Sequence, residues 1–261
     1  MRIALRARHI VVLLTVILAV SLFMPAPERA FAAGLTDIAI TLDAGDGDPA
    51  TATALQIMLL FVIIALVPTI LLMMTSFTRI IVVLHFMRSA LGTQQMPPNQ
   101  LLIGLALVLS LFIMAGPLDR IYTDAIVPFT GGEISAEQFG TNLIEPLREY
   151  MLVHVQREDM GLFAMIAGLD LSVLTYEEIP LTVLVPAFVL TELRQGFLTG
   201  FWLYVPFIVI DMIVASILMA MGMMMLPPAM ISLPFKLMVF VLSDGWRWVV
   251  EGLVASFQRV I

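Results

Sequence analysis

Apolar residues gather in long blocks along this chain, and the polar positions between them form breakers, caps and one acidic stretch. A basic head (Arg2, Arg6, Arg8) leads into an apolar run over residues 10–24 that Pro25 and Pro27 end. Four further blocks follow. Ala54–Met74 is long enough to cross a bilayer and continues through Thr75–Arg79 into residues 80–91, interrupted only by His85 and Arg88. Leu101–Ala115 is stopped by Gly116-Pro117. Pro180–Leu193 is followed by Arg194-Gln-Gly196, and Phe201–Leu226 ends in Pro227-Pro228, answered by Ala229–Leu242 and an amphipathic tail, Asp244–Ile261. The blocks predict helices, and the breakers fold them back on each other. Residues 54–117 make one helical hairpin, turning at Leu91–Gln100, where Pro98 restrains Pro97 to an extended or turn conformation. Residues 180–261 make a helix, a second hairpin and the tail.

The segment between them, 118–179, has a different character. It holds eleven acids and three bases (Arg120, Arg148, Arg157), with breakers at Gly131-Gly132 and Glu145-Pro146. A helix start stands at Ser135-Ala-Glu137, and Leu147, Met151 and Val155 recur at helical spacing. This predicts a small polar helical layer outside the hydrocarbon. The expected fold is therefore an all-α membrane protein, two helical hairpins joined by a polar helical layer.

The first 53 residues are of another kind. Basic head, apolar run and the small residues of Ala30-Phe31-Ala32 compose a secretory signal peptide over residues 1–32, cleaved between Ala32 and Ala33, with an uncleaved anchor as the alternative. Cleavage there would place Ala33 on the exported side. Residues 33–53 read as an acidic linker. Asp43, Asp46 and Asp48 miss the register of a calcium loop and lack its closing Glu.

Composition narrows the function classes. Hydrophobic residues make up 61% of the 261, charged ones 13%, and the mean hydropathy is +1.03; soluble domains are about 45–50% apolar. The chain has no cysteine, which excludes disulfides and Cys-ligated metals. Its three histidines (His9, His85, His154) share no ligand spacing. A net charge of −7 argues against nucleic acid as a partner. Walker A, nucleophile-elbow, H-E-x-x-H and dinucleotide motifs are absent from the sequence, so we expect no enzyme and no cofactor. Arg79 and Arg88 flank the first hairpin turn while 118–179 is acidic, which orients that turn toward the cytoplasm and the acidic layer outward.

Three features stand out. The pattern Ala90-Leu-Gly92-x3-Met96-Pro97-Pro98 returns as Ala220-Met-Gly222-x3-Leu226-Pro227-Pro228, at an offset of 130 residues that Phe77 and Phe207 share, and this predicts an internal repeat. Glu192, Arg194, Asp211, Lys236 and Asp244 lie within or at the edge of apolar helices, where charges need partners or a polar cavity. Glu192 and Arg194 are two residues apart and do not face each other, so each needs a partner elsewhere. Asp211 is expected as a buried helix anchor. Third, Met223, Met224 and Met225 precede Pro227-Pro228. Three consecutive methionines cannot share one helix face, and their flexible thioethers suit either irregular packing or a deformable constriction.

Ser76-Phe-Thr-Arg79-Ile-Ile, Ala90-Leu-Gly92, Pro97-Pro-Asn-Gln100, Leu105-Ala-Leu107, Asp124-Ala, Pro146-Leu-Arg148-Glu149, Gly161-Leu-Phe163-Ala164, Met221-Gly-Met-Met-Met225, Pro234-Phe-Lys236-Leu-Met238 and Asp244-Gly-Trp246 stand in an order that resembles the FliP/SctR family of type III secretion export-gate proteins. The resemblance runs from Leu55 to the C-terminus. It implies a helical multi-subunit gate in the bacterial inner membrane at the flagellar basal body, its core reaching to the periplasmic side. Its partners would be about five copies of this chain wound in an open helix with FliQ, FliR and FlhB, besides membrane lipid and unfolded flagellar subunits in transit. It also implies that Met223, Met224 and Met225 line the narrowest part of the pore, and that Glu192 and Lys236 pair between neighbouring copies. From the repeat and the buried charges alone, a subunit of a small-ion or solute transporter is the alternative.

Overall fold

The computed structural model describes residues 68–258 apart from 94, 171–177 and 224–225, together with helical positions 58, 61, 62 and 65. The expected signal peptide with its Ala32–Ala33 cleavage site, and the linker 33–53, lie outside the described residues, as do Met224 and Met225. The chain divides into two compact units between Val67 and Pro68. The second unit contains all the elements named below.

A helical stretch over 68–73 ends in a turn at 74–76, where Thr75 accepts the amide of Phe77 at 3.2 Å and Ser76 donates to Ser110 at 3.1 Å. Then come α1 (Phe77–Ala90), α2 (Asn99–Ile113) and α3 (Ala115–Ile121), a π-helical turn (Tyr122–Ile126), and α4 (Val127–Thr130). The polar segment continues with α5 (Ala136–His154) and α6 (Arg157–Ile166). Last are α7 (Leu181–Ala220), α8 (Pro228–Leu242) and α9 (Gly245–Gln258). The described residues contain no strand.

Local chemistry explains most boundaries. The start read at Ser135 is a capping box: Ser135 Oγ accepts the Gln138 amide at 3.3 Å, and Gln138 Oε1 accepts the Ser135 amide at 3.0 Å. Leu147 and Met151 point into the core as their spacing predicts. The chain breaks at Met114, and Gly116-Pro117 sit in the first turn of α3, where a missing N–H loses no helical bond.

The largest departure from the sequence reading is α7. The block Pro180–Leu193 and the block that starts at Phe201 are not separate helices; from Leu181 to Ala220 they form one helix of 40 residues that runs through Arg194-Gln-Gly196. Glycine weakens a helix by about 1 kcal/mol, but here it lets two helices touch. A Cβ on Gly196 would stand 3.1 Å from Val82, and one on Gly200 would stand 2.5 Å from the ring of Phe86. Residues 79, 82 and 86 of α1 thus meet 192, 196 and 200 of α7 in order, so the two helices run side by side in the same direction. At ~1.5 Å per residue α7 is ~60 Å long if straight, about twice the hydrocarbon thickness. It is apolar enough to cross a membrane, and its length exceeds what a bilayer core alone covers.

Two apolar cores line α7. Val183, Leu184, Ala187 and Phe188 pack with Leu147, Tyr150 and Met151 of α5 and Met160 and Ala164 of α6. Farther along, Leu203 and Phe207 pack with Val83, Leu84 and Met87 of α1, Leu102 of α2, Phe240 of α8 and Val249, Leu253 and Phe257 of α9.

The repeat extends beyond its sequence signature. α1 ends at Ala90 and α7 at Ala220; Gly92 and Gly222 follow with φ of +75° and +73°, and each donates its amide three residues back, to Ser89 O and Met219 O at 3.0 Å. Positive φ is the conformation glycine adopts without steric penalty. After each turn comes a helix pair bent by a similar angle, 69° for Asn99–Ile113 with Ala115–Thr130 and 66° for Pro228–Leu242 with Gly245–Phe257. The bends fall at Met114 and Asp244, the same 130 residues apart.

Candidate functional site

One stripe of α7 points inward along its whole length: Leu184, Phe188, Glu192, Gly196, Gly200, Leu203, Phe207, Val214 and Leu218. These positions recur every three or four residues, save one gap of seven that Asp211 fills. Polar side chains therefore enter the molecule on the same face as the core, and the helix period places them there.

Between the two cores, Glu192 meets Arg79. Arg79 is 3% exposed and Glu192 fully buried. The guanidinium donates from Nε to Glu192 Oε2 at 3.1 Å and from Nη2 to Oε1 at 2.5 Å. Its remaining edge donates from Nη1 to the Ser256 carbonyl and hydroxyl, both at 3.2 Å, and its carbon lies 4.0 Å over the Phe257 ring. One planar fork thus ties α1, α7 and α9, a geometry an ammonium group cannot reproduce.

A second knot lies beside it. Asp159, in the first turn of α6 and 1% exposed, accepts from Arg194 Nη2 at 2.5 Å and from Thr191 Oγ1 at 2.7 Å. Thr191 Oγ1 accepts the Gln156 amide at 3.1 Å, and Arg194 Nη1 donates to Gln156 Oε1 at 3.0 Å. The acid's position suits the helix dipole as well as the arginine.

His154 closes α5 against the same region. One ring nitrogen lies 2.8 Å from Tyr150 O and the other 3.4 Å from Phe257 O, with the Tyr150 ring centroid 4.2 Å away. Burial pushes the imidazole below its ordinary value; the two carbonyls oppose this and the Arg79 charge adds to it.

The third charged group joins α7 to α8. Asp211 Oδ2 accepts from Lys236 Nζ at 2.6 Å, and Oδ1 accepts from Ser232 Oγ at 2.5 Å. Nine residues on, at Ala220, α7 ends; Gly222 turns the chain, and Met223, half-buried, donates its amide to Leu218 O at 3.0 Å. Of the three methionines, only this one lies within the described residues.

Four of the five charges singled out in the sequence, Glu192, Arg194, Asp211 and Lys236, find partners inside the chain that sequence position does not suggest, while Asp244 lies exposed between α8 and α9. Glu192 and Lys236 are not brought to each other: Glu192 holds Arg79, and Lys236 holds Asp211. A pairing of Glu192 with Lys236 between copies would have to exchange two ion pairs already formed. Asp211, expected as a buried helix anchor, does join two helices, through Lys236 and Ser232, but its side chain is 34% exposed and so sits at the edge of the core rather than inside it. Arg79 and Asp159 were legible only as a turn-flanking base and one acid among eleven.

A sequence model of the FliP family matches residues 60–253. The chain belongs to the FliP family. The flagellar biosynthetic protein FliP of Bacillus subtilis is 48% identical over 205 residues, which is 78% of this chain and 92% of that protein. Those of Pectobacterium carotovorum subsp. carotovorum (46% over 218 residues, 84% of each chain) and Aquifex aeolicus (44% over 220 residues, 84% of this chain and 91% of that one) are similar to it as well. The FliP match contains all three ion pairs and the methionine turn, and ends just before Ser256 and Phe257. The three ion pairs described above and the methionine turn thus lie inside the stretch that the FliP family model covers.

Proposed function

We propose that this chain is a pore-forming subunit of the flagellar type III export gate, conducting unfolded flagellar subunits across the inner membrane. In this reading about five copies wind into an open helix with FliQ, FliR and FlhB, the core reaching to the periplasmic side. Met223, Met224 and Met225 form the gasket at its narrowest point. Family membership over residues 60–253 carries the reading. The surface of the single chain supports it. The ion pairs of Glu192 and Asp211 lie toward the inward side of α7, while Trp202 (70% exposed), Met212, Ile217 and Met221 stand out along the outer faces. An apolar surface of this extent needs lipid or neighbouring subunits to cover it.

A conduit for chains of any sequence needs a lining without fixed hydrogen-bond demands, and it must close against ions between passages. Thioethers on three rotatable bonds meet both needs. The test replaces Met223, Met224 and Met225 together by Ala in the full chain, in cells with the other export components. Assembly is expected to stay intact, inward leakage of small ions to rise, and export to continue at least in part. A variant that fails to assemble and never leaks makes these methionines ordinary packing. Loss of solute uptake with normal motility would favour the transporter reading.

A further inference from the structure

We infer that Arg88 of one copy meets Asp244 of the next, a contact between unlike patches by which copies of this chain hold one another; it rests on the multi-copy reading above. Charge is the first observation. Glu192, Arg194, Asp211 and Lys236 are answered inside the chain, whereas Arg88 and Asp244 form no ion pair among the described residues. Arg88, half-buried, donates from Nη1 to Asn99 Oδ1 at 2.5 Å and to Pro97 O at 3.4 Å, and neither acceptor is charged. Asp244 is exposed. Arg247 lies close enough to feel its charge but gives Nε to Glu251 at 2.7 Å. An acid just before a helix commonly caps it, yet no α9 amide reaches the Asp244 carboxylate among the described residues; Trp248 donates to its main-chain carbonyl, at 3.1 Å. The bend itself is tightly held. Asp244 has φ +52°, uncommon for a residue with a side chain, and a Cβ on Gly245 would stand 2.3 Å from the Phe240 ring.

Surroundings and height are the second and third. Val241, Leu242 and Trp248, within four residues of Asp244, are exposed, and so are Met96 and Leu101 beside the turn that Arg88 holds. Apolar surface of this kind needs a cover, and a bare charge within it is costly under lipid tails or an uncharged helix. A cover that brings the opposite charge removes that cost. The two charges also lie at one height. Arg79, Val82 and Phe86 stand beside Glu192, Gly196 and Gly200, which puts Arg88 opposite Trp202. Lys236 and Phe240 stand beside Asp211 and Phe207 as α8 runs back, which puts Asp244 opposite Leu203. Copies set side by side with a small rise can therefore join Arg88 to Asp244. Such a contact uses two different patches, so it repeats from copy to copy as an open helix requires.

The chain has no cysteine, so introduced ones report on this contact alone within it. Two differently tagged full chains, Arg88→Cys and Asp244→Cys, are expressed together with the other export components, and the purified complex is treated with a short bis-maleimide. Cross-links between unlike copies are expected, several-fold above those between like copies. Their absence from a complex that holds both forms overturns the contact. Asp244→Asn keeps the shape and adopts the left-handed backbone readily. It is expected to leave the unfolding midpoint of the single chain unchanged and to lose most of the assembled complex; normal assembly of this variant also overturns the contact. Asp244→Arg should lose assembly further, and Asp244→Arg with Arg88→Asp should recover a large part of it. Should that double variant not fold, because Arg88 also holds the first turn, the cross-link decides. If the Met223, Met224 and Met225 variant leaks while unlike copies do not cross-link, the contact falls and the conduit stands. A complex that holds a single copy of the chain removes the multi-copy reading itself.

Discussion

Arg79 and Glu192 show how a single buried pair can be indispensable without being a net source of stability. Desolvating both ions nearly cancels their attraction, yet removing one leaves the other charged and unpaired, which costs about 3–5 kcal/mol. Glu192→Ala is therefore expected to lower the unfolding midpoint of the detergent-solubilised chain sharply, and Arg79→Ala similarly. Arg79→Met with Glu192→Met should recover much of the loss. Additive effects of the two single changes would contradict the pairing. At His154 the quantity to follow is pH. Burial holds the folded imidazole below the ordinary value near 6.5. The folded chain then binds fewer protons than the unfolded one, so this contribution is intact above about pH 6.5 and is lost as pH falls through and below it. Between about pH 7.5 and 5.5 the melting midpoint of the wild type should drop more than that of His154→Phe. Equal drops would remove His154 as the cause.

Among the helices, the contact of α1 with α7 depends on the two glycines that let them approach. The ring atoms nearest to a Cβ at Gly200 belong to the root of Phe86, at 2.5–2.8 Å, so the side chain cannot simply swing its far end away. Gly200→Ala is expected to destabilise by about 1–3 kcal/mol as an overpacked contact, read by thermal unfolding in detergent, with partial relief in Gly200→Ala/Phe86→Ala, which removes the Cγ at 2.5 Å. At Gly196 the nearest atoms stand at 3.1 Å, and the effect should be smaller. If both substitutions were neutral, the helices would not be in register as described. The same contact explains why a sequence that looks broken at Arg194-Gln-Gly196 continues as helix. Burial along the stripe offsets the weak local propensity.

At the largest scale, the unit from Pro68 onward has two apolar cores strung along one helix, with charged knots at the seam between them. Its outer faces are apolar as well. Leu242, Val241, Trp202 and Met221 are all largely exposed in the single chain. A surface of this kind predicts that the chain leaves the membrane in company. Gentle detergent extraction and mass measurement should give a complex well above 28.8 kDa that contains further apolar helical subunits. A homogeneous single chain that stays soluble in the same detergent would contradict this.

Sequence alone determined the features set by neighbours along the chain. Helical blocks, the helix start at Ser135, the paired Gly-x3-[Met/Leu]-Pro-Pro turns, the 130-residue offset and the family resemblance all depend on short-range periodicity, turn chemistry or motif order. They are legible because a cap or a positive-φ glycine acts within a few residues. Only the tertiary structure decided which charges meet. Arg79 lies 113 residues from Glu192, Asp159 lies 35 from Arg194, and Lys236 lies 25 from Asp211. A list of buried acids and bases admits many pairings, and inward-facing stripes choose among them once the helices have docked. The continuity of α7 was decided in the same way. Local propensity set Gly196 against the helix, and close packing on α1, a contact invisible to its sequence neighbours, kept it in.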